Sequence, residues 1–417
     1  MQVLQSRAAG SFVEDALDAA LARAPLSGAD RRLCQELAYG VVRWQATLDW
    51  LIARKTPDRR QKPLLQNVLR LGLYQIFWLS RIPHHAAVDE SVQMARRGGF
   101  NTQAGFVNAV LRGYVRELEP TRLLLDELKR TQPHLGYSHP QWLVARWQER
   151  WGAEAAAQLM TWNNTPPKTF ARVNLLKVEP GKLLEQWRAE GVEYDFVRHD
   201  WLEENLVFEL KAHPSLSRLP SFQQGLFYVQ DPGTLLAVTE LAPRPGERVL
   251  DFCAAPGGKL GYIAQLMRNE GRLLAHDIAP ERLKLVQENC TRLGITCAEN
   301  CLSIASAEHF DRVLLDAPCS NSGVMRRRVD LRWRITAEEI QRLRLVQLEL
   351  LRRAAPFLRR GGTLVYSTCS LEPEENEEPV KQFLIEHPQF NLERTRELLP
   401  FRDEVDGAFV ARLKHAG

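Results

Sequence analysis

The spacing of apolar residues changes twice along the chain. From residue 1 to about 130 they recur at three- and four-residue steps, which predicts helices. In 64-LLQNVLRLGLYQIFWLS-80 the positions Leu65, Val68, Leu69, Ile76 and Phe77 follow this period. That helix is expected to stop at 81-RIPHH-85, because Pro83 has no amide hydrogen to donate, and His84 and His85 then fall in a surface loop. The stretch 104-AGFVNAVLRGYVREL-118 repeats the helical pattern. Near residue 136 the texture becomes mixed. 136-GYSHPQWLVARWQERWG-152 predicts a helix entered at Pro140 and ended at Gly152, while 163-NNTPPKTFARVNLLK-177 and 204-ENLVFEL-210 carry short β-like runs. From residue 231 the order is strand, turn, helix. Buried strands are predicted in 247-ERVLDFC-253, 272-RLLAHDI-278, 311-DRVLLDA-317 and 361-GGTLVYST-368, with helices over 280–294 and 337–360 between them. That alternation predicts a doubly wound, mainly parallel sheet. The expected division is 1–135, all helical; 136–230, a small α/β unit; and 231–417, the doubly wound α/β domain. No internal repeat or low-complexity tract interrupts it.

Charge sharpens the picture at one end. The net charge is +4, but residues 1–150 hold 21 Lys and Arg against 14 Asp and Glu, and the remainder 34 against 37. The basic excess lies among Trp, Tyr and His, which suits a nucleic-acid-binding module as well as it suits solvated arginine faces. No apolar run reaches the roughly 18 residues of a membrane span. The N-terminal stretch carries acids and lacks an apolar signal core. Seven cysteines without a C-x-x-C pair favour reduced thiols in a cytosol over disulfides or a zinc site. Cys34, Cys290, Cys297 and Cys301 are accordingly expected to be core or surface thiols, and no metal is expected.

In doubly wound sheets, ligands bind beyond the carboxyl ends of the strands. After the first strand comes 251-DFCAAPGGK-259, where Gly257 and Gly258 allow close backbone approach. Leu260 follows the lysine, so this is neither a phosphate-binding P-loop nor a dinucleotide fingerprint. Asp277 ends the second strand, where an acid suits a ribose hydroxyl pair. Loop and acid together point to a nucleoside cofactor without a pyrophosphate, S-adenosylmethionine being the candidate. The two remaining strands end in 316-DAPCS-320 and 367-STCS-370, each a cysteine followed by a serine. A thiol at such a position suggests covalent chemistry.

Taken together, DFCAAPGGK, LLDAPCSNSG and VYSTCSLEPEEN resemble the RNA 5-methylcytosine methyltransferases of the Fmu/Sun/NOL1/NOP2 family. 172-RVN-174 and 228-YVQDPGT-234 also resemble its signatures, and 106-FVNAVLR-112 resembles the NusB-like RNA-binding domain of its bacterial small-subunit rRNA members. The resemblance implies a class I, Rossmann-like methyltransferase domain behind an all-α NusB-like domain and a small α/β subdomain. It implies Cys369 as the nucleophile toward cytosine carbon 6, Cys319 as the residue assisting release, Asp316 on the cytosine edge and Lys259 near the base. It implies S-adenosyl-L-methionine held by Cys253, Ala254, Ala255, Pro256, Gly257, Gly258, Lys259, Asp277 and Asp316. The family's Gly-Asp pair after the third strand is missing from 296-TCAENCLSI-304, so Asn300 or Glu299 is the expected substitute. Small-subunit rRNA is the implied partner, with the chain a cytoplasmic monomer that touches no membrane.

Two other readings stand beside this one. A DNA cytosine methyltransferase would use Cys319 as nucleophile and need no partner at Cys369. A silent RNA-binding assembly factor would need neither cysteine nor Lys259. The acid run 372-EPEENEE-378 reads as a helix start favoured by the dipole, and the serines and threonine around Cys369 as strand-end caps.

Overall fold

The structure, a computed structural model, describes residues 1–24, 26–57 and 61–416. The chain divides into two compact units, Met1–Pro166 with Met325–Arg334, and Pro167–Val324 with Ile335–Gly417.

The first unit is helical. Its core gathers Val13, Leu17, Val41, Leu48, Leu51, Leu65, Val68, Leu69, Val107, Leu111 and Tyr114, the stripe positions of successive helices. The helix Pro63–Trp78 opens on Pro63, whose missing amide hydrogen costs nothing in a first turn. Pro83 likewise caps the next helix, His84–Arg97, so His84 and His85 begin a helix instead of lying in a loop. The helix Gln141–Asn164 is broken at Gly152, where φ is 84°. The segment Met325–Arg334 returns to this unit from far along the chain. Its Val329 joins the core. Asp330 accepts hydrogen bonds from the Arg7 guanidinium and the Val13 amide. Arg332 is fully buried and donates to Asn164 Oδ1 at 2.7 Å and to the Asn163 carbonyl at 2.8 Å, while Trp333 donates to the Val42 carbonyl at 2.8 Å.

The second unit holds two sheets. The smaller is antiparallel, ordered β2-β3-β1-β4 from Thr169–Val173 (β1), Glu193–Phe196 (β2), Val207–Ala212 (β3) and Phe227–Val229 (β4). Trp187 of the helix Pro180–Glu190 packs edge-on against Phe208 and Phe227 beneath it.

The larger sheet comprises Arg248–Asp251 (β5), Arg272–His276 (β6), Ala298–Cys301 (β7), Phe310–Asp316 (β8), Leu358–Thr368 (β9), Phe390–Leu398 (β10) and Ala408–His415 (β11). Its order is β10-β11-β9-β8-β5-β6-β7, parallel from β7 through β9 and antiparallel at β10 and β11. The apolar strand centres Val249, Leu273, Val313, Leu314 and Val365 are buried because helices cover both faces. The helix predicted over 337–360 ends earlier, at Ala354. A 3₁₀ turn through Pro356 follows, and β9 begins at Leu358. After β5 the chain winds outward through β6 and β7, then returns to the other side of β5 as β8. That reversal leaves a crevice at the carboxyl ends of β5 and β8.

Candidate active site

Four loops converge on this crevice. The first follows β5. Gly257, with φ at 100°, turns the chain into the helix Gly258–Leu266, a conformation that strains any residue bearing a Cβ. Between them the Ala254 amide donates to the His276 carbonyl at 2.9 Å, and the Gly257 amide to the Ala254 carbonyl at 2.8 Å, so Cys253–Lys259 is held close to the end of β6. Arg172 buttresses the loop from β1. It is buried, donates to the Gly258 carbonyl at 2.9 Å and to Gln230 Oε1 at 2.6 Å, and lies over the Tyr228 and Tyr262 rings. Burial pulls its guanidinium down to about 10. Asn174 ties the same strand to the carbonyls of Gly225 and Leu293, both at 2.8 Å. The RVN and YVQ stretches thus hold the small sheet on the glycine-loop side of the large one.

Asp251, at the end of β5, is 1% exposed, and neither carboxylate oxygen accepts a well-formed hydrogen bond. Burial first, and the charge of Asp316 second, push its carboxyl up to about 7, against the partial help of Lys259 and the Cys253 amide. Asp277, 3% exposed beyond β6, accepts from the Ala279 amide at 3.2 Å and faces the Arg282 guanidinium at 3.1 Å. A glycine turn flanked by two buried carboxylates, one unsatisfied, is a cradle for a ligand with a cationic end and hydroxyl donors. Cys253 is part of this loop, and burial keeps its thiol well above the ordinary range.

On the edge strand β7, Asn300 is exposed and its Nδ2 donates to the Leu283 carbonyl at 3.0 Å. Glu299 turns to Arg272, 3.0 Å away. Both side chains therefore have partners outside the glycine loop.

The other two loops follow β8 and β9, parallel neighbours with Asp316 opposite Ser367. They bring the thiols of Cys319 and Cys369 to 3.4 Å. Cys319 is buried and Cys369 half-buried. Cys369 Sγ donates to Asn321 Oδ1 at 2.9 Å, and Asn321 Nδ2 donates to the Cys319 carbonyl at 2.8 Å. Asn321 reaches both because it sits at φ 58°, a left-handed conformation that asparagine tolerates. The Gly323 amide donates to the Cys369 carbonyl at 2.9 Å, and a Cβ on Gly323 would meet that oxygen and Gly407 at 2.8 Å. Only glycine lets these backbones cross.

Lys259 Nζ donates to Asp316 Oδ2 at 2.6 Å, and Ser367 Oγ to Asp316 Oδ1 at 2.8 Å. Burial opposes the charge on Lys259, yet Asp316 and the neighbouring Cys369 raise it above its ordinary value. The Cys319 thiol is pushed well up, first by its hydrogen bond with Cys369 and then by burial. Cys369, Cys319, Asp316 and Lys259, named from the sequence, thus share one corner. Asp251, Ser367 and Asn321 join them without having been singled out. Asp251 carried the one available signal, an acid ending a strand just before the glycine loop.

No group of three His, Cys, Asp or Glu suited to a metal occurs among the described residues, and no described helix is long and apolar enough to cross a membrane.

Comparison with known proteins finds three matching stretches. A family model described as 16S rRNA methyltransferase RsmB/F matches residues 238–414, the NusB family matches 1–116, and a ferredoxin-like domain of RsmF/B-like methyltransferases matches 139–211. The probable ribosomal RNA small subunit methyltransferase B of Bacillus subtilis is 36% identical over 94% of this chain and 92% of its own. The ribosomal RNA small subunit methyltransferase B of Yersinia enterocolitica is 34% identical over 93% of this chain and 91% of its own. Among solved structures, a methyltransferase homologue from Pyrococcus horikoshii superposes with a TM-score of 0.59 at 32% identity, over 70% of this chain and 98% of that one. Similarity at this level across nearly the whole sequence is family membership: the chain belongs to the RsmB/F family of 16S rRNA methyltransferases.

Proposed function

We propose that this rRNA methyltransferase acts on carbon 5 of a specific cytidine of small-subunit rRNA, through a covalent bond between Cys369 and the base. The observation that carries this reading is the pair of thiols 3.4 Å apart beside the Lys259–Asp316 ion pair. Carbon 5 of cytosine is a weak nucleophile. A thiolate bonding carbon 6 pushes an electron pair toward carbon 5 and so divides one hard step into easier ones. Cys369 is the more accessible thiol, and it neighbours the Lys259 ammonium. Asp316, held by Lys259 and Ser367, is the acceptor for the amino edge of the base. S-adenosyl-L-methionine, when bound, supplies the electrophilic methyl group that carbon 5 accepts. Gly257, Gly258 and the rest of Cys253–Lys259, with Asp251, Asp277 and Asp316, are the residues that fit it. Asp251 offers an unsatisfied carboxylate to its cationic end, and Asp277 an acceptor to its ribose hydroxyls.

The adduct must then lose its carbon-5 proton and break the carbon–sulfur bond. Cys319 is suited to this second task. The neighbouring sulfur of Cys369 is the main influence that keeps Cys319 protonated. Once that sulfur is bonded to carbon 6, its hydrogen bond with Cys319 is lost, and with it the main influence that raises the Cys319 thiol, at the stage where a base is required. The helical domain, 1–135 in this reading, selects the RNA; 136–230 braces the cofactor loop; and 231–417 carries the chemistry in the cytoplasm. An accessible, splayed base is required, since the thiol must reach the ring face. Bisulfite sequencing of 16S rRNA from a strain lacking the gene tests the proposal. One cytosine should lose its protection and regain it with the wild-type gene. A pattern identical to the parent strain refutes the carbon-5 assignment.

A further inference from the structure

The two active-site cysteines are each followed by serine, and both serines end on one buried carboxylate. Glu375 lies six residues beyond Cys369, in the 3₁₀ turn Pro373–Glu375, and is fully buried. Its Oε1 accepts from the Ser320 amide at 2.8 Å and from Gln347 Nε2 at 3.0 Å. Its Oε2 accepts from the Ser320 hydroxyl and, at 2.5 Å, from the Ser370 hydroxyl. These are four neutral donors converging on two oxygens, the complement of a carboxylate. Its carbonyl is fixed in turn by the Tyr366 hydroxyl at 2.5 Å. Asn376 completes the grip on the second loop, accepting from the Thr368 hydroxyl at 2.6 Å and donating to the Ser370 carbonyl at 2.9 Å.

We infer that Glu375 is a positioning residue that sets the separation of the two thiols. The β8–β9 ladder ends at Asp316–Ser367, and beyond it the loops are joined by the Gly323 amide to the Cys369 carbonyl and by Asn321, which bonds Cys369 Sγ and the Cys319 carbonyl. Glu375 bridges the loops one residue further on, through Ser320 and Ser370. Each cysteine is thereby fixed through the serine peptide-bonded to it. The inference rests on the two-thiol chemistry proposed above, but its geometric core is measurable without RNA.

The test is the effective concentration of one thiol for the other. The full-length protein is equilibrated with mixtures of oxidised and reduced glutathione. One oxidised glutathione takes two electrons and two protons from Cys319 and Cys369, giving one protein disulfide and two reduced glutathiones. The Cys319–Cys369 peptide is quantified by mass spectrometry. Glu375→Ala should lower the effective concentration at least tenfold, about the effect of losing one hydrogen bond to a charged group. Glu375→Gln keeps the oxygen that faces the Ser320 amide and Gln347, and the two hydroxyls can reverse to accept from its new amide, so it should stay within about threefold of wild type. If Glu375→Ala does not fold, the double variant Ser320→Ala, Ser370→Ala removes both hydroxyl links and should show the same tenfold loss. Methylation by the weakened variants should fall in kcat with KM for RNA unchanged. No cross-link in the wild type, or an equal effective concentration in wild type and variants, overturns the inference and leaves the carbon-5 reading standing. Lost thiol coupling with full methylation would overturn the catalytic part of the inference, and with it the two-thiol chemistry itself.

Discussion

Asp251 offers a direct measurement of how the glycine-loop crevice is poised. The carboxyl is held at about 7 against an ordinary 3.8, chiefly by burial. A difference of that size corresponds to about 4 kcal/mol against the ionised form. The sign follows from proton counting. Between pH 3.8 and about 7 the folded chain keeps a proton on Asp251 that the unfolded chain has released, so stability falls as pH rises through this window and levels off above it. Asp251→Asn is nearly isosteric and cannot ionise. Urea unfolding at a series of pH values should show the variant close to wild type at pH 4 and more stable by up to about 4 kcal/mol at pH 8. The same carboxylate should favour a cationic ligand. Calorimetric affinity for S-adenosylmethionine should therefore rise in the wild type as pH passes through about 7, and be weaker and flatter in Asp251→Asn. Parallel stability curves for the two proteins from pH 4 to 8 would refute the reasoning, because they would mean that Asp251 ionises in the fold as freely as in water.

Other outcomes follow from the site and the helical unit. Cys369→Ala should neither methylate nor cross-link RNA, whereas Cys319→Ala should transfer methyl and stall as a covalent protein–RNA complex visible on a denaturing gel; the reverse pattern would make Cys319 the nucleophile. Asp277→Ala should weaken S-adenosylmethionine binding by about 1.5–3 kcal/mol, the worth of hydrogen bonds to a charged acceptor, with equal calorimetric affinities counting against a ribose role. Arg332→Ala should destabilise the protein by roughly 3 kcal/mol in urea, since it strips the buried Asn163 carbonyl and the half-buried Asn164 Oδ1 of their donor; a change below about 0.5 kcal/mol would show that Arg332 is not anchored there.

The strands that carry the site were legible because a parallel sheet covered on both faces needs unbroken apolar runs, and 247–253, 272–278, 311–317 and 361–368 provide them. The C-terminal hairpin was not. β10 is largely solvent-facing, with Glu393, Arg394, Thr395 and Arg396 in succession and a register shift between Leu392 and Arg394, so it lacks an apolar signature. The stretch 325-MRRRVDLRWR-334 gave no sign of its place in the fold, for a different cause. Three residues in this stretch are buried that hydropathy would place in water, Arg326, Asp330 and Arg332, beside the apolar Val329. Local composition cannot reveal this, because the oxygens that satisfy Arg332 belong to Asn163 and Asn164, well over a hundred residues earlier in the chain.

The same distinction runs through the site. The cysteines could be named from sequence because each follows a strand and a thiol does what few other side chains can; Asp316, which ends β8, and Lys259, in the first turn of the helix Gly258–Leu266, were named through the family resemblance. The groups that aim them cannot be named that way. Asn321 and Ser367 are common loop and strand residues until the fold places one on Cys369 Sγ and the other on Asp316. Glu375 belongs to an acid run whose composition fits a solvated helix start, and its neighbours Glu377 and Glu378 do open the helix Glu377–Glu386. What separates Glu375 from them is that four donors, from Ser320, Ser370 and Gln347, meet its two oxygens in a space closed to water. An isolated carboxylate cannot remain there, and four unsatisfied donors cannot either. The serines after the cysteines and the glutamate after the second loop are therefore one physical requirement, and a change to any of them has to be judged by what it leaves unpaired behind the thiols.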